Sequence, residues 1–203
     1  MAEKHHPKRD RRATEQRIIA AAFEEFIAVG QAGARVDRIA QRAHTNKANI
    51  YHYFGSKQGL FASVLEMHLK QSAPFHRLET FTDMYDAAAK VQAFIINDSS
   101  WMRLLTWEAL EGDLGNITAE ESRRAAWLAM VEQIQTIIDE GEIPNFDAAQ
   151  LQLAIYSLVA FPVALPQITK LITGLDVESP EFLHQQQEFL KSLIALFTDQ
   201  SAD

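Results

Sequence analysis

The sequence predicts an all-α fold: an N-terminal head of three to four helices containing a helix-turn-helix, followed by a larger C-terminal helical domain. Three observations predict it. Apolar residues recur at three- and four-residue spacing through most of the 203 residues. No segment sustains two-residue alternation between tight-turn residues, as a strand hairpin would. Capping residues stand where the periodic runs begin, as in Thr118 with Glu121, Asp147 with Gln150, and Ser179 before Pro180.

Taken in order, residues 1–10 are polar and read as a mobile arm. Ile18, Ile19, Ala22, Phe23, Phe26 and Ile27 then mark a first helix of about five turns, which Gly30 stops. A short helix carries Val36, Ile39, Ala40 and Ala43. After a turn at His44-Thr45-Asn46, a second short helix points Ile50 and Phe54 inward, and beyond Gly55-Ser56 a fourth helix carries Leu60, Phe61, Val64, Leu65 and Leu69. The remaining periodic runs predict helices near 82–97, 100–111, 118–141, 147–165, 166–174 and 180–198. The head occupies 11–70 and the larger domain 71–203, with the boundary near Gln71 to Pro74.

Charge divides the chain at the same place. Residues 1–70 hold twelve Lys/Arg against seven Asp/Glu, a balance of +5, whereas 71–203 hold seven against twenty, a balance of −13. A basic head on an acidic body suits a duplex partner for the head alone, because the body is repelled by phosphate. The absence of cysteine excludes disulfides, thiolate catalysis and cysteine-bound metal. With no eighteen-residue apolar run and no apolar core behind the charged N-terminus, neither a membrane span nor a signal peptide is expected, and a cytoplasmic location is.

The two short helices, Val36 to Ala43 and Lys47 to Phe54, have the form of a helix-turn-helix whose second member enters the major groove. With Ile50 and Phe54 inward at about 100° per residue, Ala48, Asn49 and His52 face outward and Tyr51 and Tyr53 flank them. Asn49 can make a paired contact to a base edge, Ala48 permits close approach or meets a thymine methyl, and Lys47 and His52 can donate to bases or phosphates. Tyr51, Tyr53 and Lys57 suit the phosphate backbone.

These residues resemble the TetR family of bacterial transcriptional regulators. Arg17-Ile18-Ile19, Ala21-Ala22-Phe23, Phe26, Gly30, Ile39-Ala40, Ala43, Ile50-Tyr51-His52-Tyr53-Phe54, Ser56-Lys57 and Leu60 match that family's DNA-binding signature in order and spacing, over roughly residues 11–65. The resemblance implies a homodimer on palindromic double-stranded DNA, usually repressing, and released when a small molecule enters the helical body. Three positions depart from the family pattern. His44 replaces the usual turn glycine, Asn46 replaces the usual Ser or Thr as cap, and Arg35 stands where a capping hydroxyl is usual and can contact phosphate instead. Arg9, Arg11 and Arg12 lie where an arm can reach DNA; a solvated tail is the equal alternative.

In the body, the run 151–165 is apolar almost all round and needs covering on more than one side, and 182–197 adds a second apolar helix. The resemblance implies dimerisation through these helices, near 147–165 and 180–198; a large monomer core is the alternative from composition alone. Phe94, Trp101, Trp107, Glu108, Trp127, Met130 and Tyr156 are the candidates for an effector site, whose ligand would be apolar or aromatic. Ordinary core packing accounts for the same residues.

A catalytic reading finds little. The sequence contains no Walker loop, HExxH, nucleophile elbow or dinucleotide glycine fingerprint. Glu181 and His184 form one ExxH, where a di-iron bundle needs two and further glutamates. No catalytic residue, metal or cofactor is therefore expected. A helical-bundle enzyme, or an interaction module with an incidental basic head, stands as the alternative.

Overall fold

The computed structural model describes residues 7–72, 81–97 and 99–198, and among them the secondary structure is helical throughout. Ten helices follow in order: α1 (Pro7–Gly33), α2 (Val36–Arg42), α3 (Lys47–Phe54), α4 (Lys57–Ser72), α5 (Phe81–Asn97), α6 (Ser100–Glu111), α7 (Glu120–Asp139), α8 (Ala148–Ala164), α9 (Pro166–Thr173) and α10 (Pro180–Thr198). The expected arm is shorter than its sequence suggested. Residues 7–10 already belong to α1, because Pro7 has the φ and the missing N–H that suit a first helical position; residues 1–6 lie outside the described part.

The chain divides into two compact units, Met1–Lys70 with Arg103–Glu120, and Gln71–Met102 with Glu121–Asp203. All of α6 from Arg103 onward thus groups with the head, whereas periodicity alone had counted it with the body.

In the first unit, α2 packs on α1 and α3 on α2. Ile18, Ala22 and Phe26 of α1, Ile39 and Ala40 of α2, Ile50 of α3 and Leu60, Phe61, Val64 and Leu65 of α4 form its buried core. Phe26 meets Phe61 edge-on at 5.0 Å. Each fully buried large side chain contributes about 1.5–3 kcal/mol. The break in α1 falls at Gly30, whose φ of 72° and ψ of 176° leave the helical region before one more turn completes the element.

The second unit packs α5 against α8 and α10, and α9 against α8. Ile134, Ile137, Ile138, Ile143 and Ala148 are buried together, with Val131, Leu151, Ile155 and Ile194 against them. The chain bends by 93° between α8 and α9. Pro166 at the first position of α9 enforces the break, since it cannot bond back to Pro162. Asp147 caps α8 through the Gln150 N–H at 2.9 Å, and Ser179 caps α10 through the Phe182 N–H at 3.2 Å. Glu120, rather than Thr118, begins α7, after Ala119 has turned through a positive φ of 53°. Among the described residues no single helix is long and apolar enough to cross a membrane.

Candidate nucleic-acid interface

The turn between α2 and α3 is built from the residues that depart from the usual pattern. His44 adopts φ 51°, the left-handed conformation that glycine takes more cheaply. Asn46 caps α3, its Oδ1 accepting the Asn49 N–H at 2.8 Å, and the Asn49 side-chain amide donates to Thr45 Oγ1 at 3.1 Å. The turn is therefore held from both ends of one short segment.

Arg35 precedes α2 without a side-chain cap of its own. Its N–H instead donates to Glu25 Oε1 at 3.2 Å. Glu25 is 2% exposed and also faces Arg38 Nε at 3.5 Å and Arg42 at 3.9 Å. A carboxylate at the amino end of α2 meets the positive end of the helix dipole, so this one side chain ties α1 to α2. Sequence reading missed it. A Glu within a run of apolar residues looks like a solvated position, and only the packing of α2 on α1 buries it.

On α3, Ile50 is fully buried and Phe54 half-buried, while Asn46, Lys47, Ala48, Asn49, Tyr51 and His52 are exposed. Tyr53 is half-buried between rings, with His52 at 5.6 Å and Phe54 at 6.1 Å, and the Arg11 guanidinium lies 5.5 Å from its ring centre. Lys47 pairs with Asp37 at 3.4 Å, an exposed contact worth about 0–1 kcal/mol that a phosphate can outcompete. Arg35 is exposed beside this face.

Lys57 is placed differently from a free surface lysine. Its ammonium donates to the Ala32 and Ala34 carbonyls at 3.0 and 3.2 Å, closing the carboxyl end of α1 where the helix dipole favours a cation. An ammonium has three donors, so one is left for another acceptor. Two residues of α6 reach the same end of α1: Trp107 donates its indole N–H to Ile27 O at 3.2 Å, and Glu111 Oε2 accepts the Ala32 N–H at 2.9 Å.

The residues put forward for an effector site divide between the two units. Trp107 and Glu108 fall in the first unit. In the second unit Trp127 meets Tyr156 edge-on at 4.9 Å, and the Tyr156 hydroxyl lies 3.9 Å from Met102 Sδ. Burial raises the Tyr156 phenol above its ordinary value of 10.0, with Arg123 pulling the other way. Phe94, Trp101 and Met130 are half-buried. A separate cleft of about 260 Å³ in the same unit is lined by Ile96, Ser99, Val163, Pro166, Asp176, Val177 and Glu178, and the aromatic candidates are not among its walls. Among the described residues no group of three or more His, Cys, Asp or Glu could hold a metal ion.

Comparison with known proteins agrees with this geometry. The family model for bacterial regulatory proteins of the tetR family matches residues 18–64, from the core face of α1 to the middle of α4. The transcriptional repressor SCO4008 of Streptomyces coelicolor is 32% identical over 170 residues, covering 82% of this chain and 86% of that protein. The repressor NicS of Pseudomonas putida is 31% identical over 138 residues, 64% of this chain and 63% of its own length. Among solved structures, the putative regulator SCO4942 of S. coelicolor superposes with a TM-score of 0.74 at 28% identity, covering 91% of this chain and 98% of that one. FadR of Bacillus subtilis, solved in complex with stearoyl-CoA, superposes with a TM-score of 0.69 at 18% identity over 86% of this chain and 96% of its own, which establishes a shared fold. The identity to a repressor over most of both chains, together with a capped helix-turn-helix whose outer face is polar, makes this chain a DNA-binding transcriptional regulator of the TetR family.

Proposed function

We propose that the chain represses transcription as a homodimer on a palindromic operator and leaves it when a small molecule enters the second unit. The observation that carries the reading is the outer face of α3. A helix pinned by Ile50 and capped by Asn46 leaves Lys47, Ala48, Asn49, Tyr51 and His52 exposed together, at the positions from which a recognition helix reads bases. In this reading Asn49 and His52 contact base edges, and Ala48 lets the backbone approach. Arg35, Asn46, Lys47, Tyr51 and Tyr53 hold phosphates, Lys57 using its remaining donor for the same purpose. The repressing sign is supported by SCO4008 and NicS, both named repressors.

Dimerisation is supported by apolar surface that a lone chain leaves in water. Leu153 and Phe161 stand eight residues apart on α8, Leu165 follows just past its end, and Phe189 and Leu196 repeat after seven residues on α10; all five are exposed. Such stripes belong against a second copy. Effector binding is supported by the stearoyl-CoA in the FadR structure, whose fold this chain shares, and by the aromatic group of Trp127 and Tyr156 with Phe94, Trp101 and Met130 in the same unit. An apolar or aromatic effector suits those side chains, and the protein would meet it in the cytoplasm.

The test is selection of duplexes from a random pool at about 0.1 M salt, where nonspecific attraction is restrained. Enrichment of a palindrome with half-sites about one helical turn apart is expected. Folded, ligand-free protein that enriches no sequence would overturn the reading.

A further inference from the structure

The cleft in the second unit is walled by three segments of chain. Ile96 and Ser99 come from the end of α5 and the link to α6, Val163 and Pro166 from the α8–α9 bend, and Asp176, Val177 and Glu178 from the turn that leads into α10. Val163 and Val177 are buried and form its floor, whereas Ser99, Asp176 and Glu178 are exposed at its rim. The turn is fixed by its own bonds: the Asp176 carbonyl accepts the Ser179 N–H at 2.9 Å and the Ser179 hydroxyl at 2.7 Å. Two carboxylates are thereby held on either side of the buried Val177. The Lys170 ammonium pairs with Asp176 Oδ2 at 3.1 Å, while among the described residues Glu178 has no cationic partner. The rim therefore carries one uncompensated negative charge above an apolar floor.

We propose that this cleft binds a small primary amine, one ammonium on a compact apolar body, and that its occupancy releases the operator. The inference rests on the regulator reading above and adds one positive charge to the apolar effector proposed there. The lining decides the class. An anion would face two carboxylates. A bare metal ion needs more ligands than the rim supplies, since among the described residues no group of three or more His, Cys, Asp or Glu could hold one. A neutral apolar molecule would cover the floor and gain nothing from the charge of Glu178. An ammonium brings three N–H donors, one each for Glu178, for the Asp176 oxygen that Lys170 leaves free, and for the Ser99 hydroxyl. The Lys170–Asp176 pair is exposed on both sides and correspondingly weak, so it does not hold Asp176 against a second cation. Volume limits the body: about 260 Å³ lies below the roughly 300–1,000 Å³ of sites for drug-sized ligands, which suits a single ring over Ile96, Val163, Pro166 and Val177.

Three compounds test the idea on the full chain by thermal unfolding at neutral pH: cyclohexylmethylamine, which carries ring and charge; cyclohexylmethanol, which keeps the ring alone; and methylamine, which keeps the charge alone. For a site of millimolar affinity, about 10 mM cyclohexylmethylamine is expected to raise the Tm by roughly 3–6 °C, with clearly smaller shifts from the other two. Glu178→Gln removes the charge from an exposed position, so it should leave the ligand-free Tm nearly unchanged. It should also weaken the amine about fivefold and so roughly halve its shift. No shift from cyclohexylmethylamine, an equal shift from the alcohol or from methylamine, or a shift undiminished by Glu178→Gln would overturn the proposal. Operator binding measured in parallel separates the two readings. The same amine concentration is expected to weaken it about tenfold if the amine binds only the DNA-free chain. A chain that selects its palindrome and is stabilised by the amine, yet keeps its full operator affinity, refutes the effector role of the cleft alone. One that is stabilised by the amine but selects no palindrome refutes the regulator reading and keeps the amine site.

Discussion

Asn49 and Lys57 differ in how the fold commits them, and that difference should be measurable. Asn49 is exposed, and its side-chain amide spends one N–H on Thr45 Oγ1. Asn49→Ala is expected to relax preference at one base pair, at a cost of about 1–3 kcal/mol for the correct sequence. Lys57→Ala should weaken binding to all duplexes alike and lower the salt slope by about one. It should also lower stability by about 1 kcal/mol, because the Ala32 and Ala34 carbonyls lose their donor. Fluorescence titrations against matched and mismatched operators check both, and equal losses on every sequence would remove Asn49 from base reading. Tyr156 makes a prediction in pH. Its folded-state phenol holds its proton more tightly than the unfolded one, so the stability it contributes is complete below pH 10.0 and is lost as pH rises from there through the raised value. Tyr156→Phe should flatten that part of the alkaline fall in Tm and leave neutral pH nearly unchanged.

The α8–α9 segment shows how helices tolerate prolines at a defined cost in side chains. Pro162 lies inside α8 and cannot bond the Leu158 carbonyl. Gln186 of α10 does so instead, donating at 2.9 Å. Pro166 likewise frees the Pro162 carbonyl, which accepts from Thr169 Oγ1 at 3.1 Å. Gln186→Ala and Thr169→Val each leave an acceptor unpaired in a largely buried place, and each should cost about 1–3 kcal/mol, or a Tm decrease of roughly 2–10 °C. Thr169→Ser should retain most of the stability. The junction of α3 and α4 carries a steric requirement of another kind. A Cβ at Gly59 would meet the Phe54 carbonyl, so Gly59→Ala must shift backbone, and thermal unfolding should show a clear loss despite the better helix propensity of alanine.

For the whole molecule, charge and apolar surface set the expectations. The −13 body and the +5 head confine duplex contact to one end of the sequence, so operator affinity should fall steeply with salt even though the protein as a whole carries −8. Exposed Leu153 on α8 and Phe189 on α10 belong to the stripes assigned to the partner copy. Leu153→Glu with Phe189→Lys is expected to leave a folded monomer in sedimentation and to weaken binding to the full palindrome far more than to a half-site, since the second head no longer arrives tethered. A dimer that persisted would move the interface elsewhere.

Periodicity and caps alone determined the helical class, the order of the elements and nearly all of their limits. They also determined the outward face of α3, because Ile50 and Phe54 set its phase and the polar residues between them follow from about 100° per residue. These are local properties, written within one or two turns of chain. Only the tertiary structure decided what depends on contacts distant in sequence. Glu25 became the cap that Arg35 lacks, Lys57 closed the end of α1, Trp107 donated to Ile27, and Gln92 was buried without a described partner. A polar or amphipathic side chain in a helix has the same local pattern whether it faces water or a neighbouring helix. The difference lies in which surface arrives opposite it, and that is settled by packing, after the helices themselves are already specified.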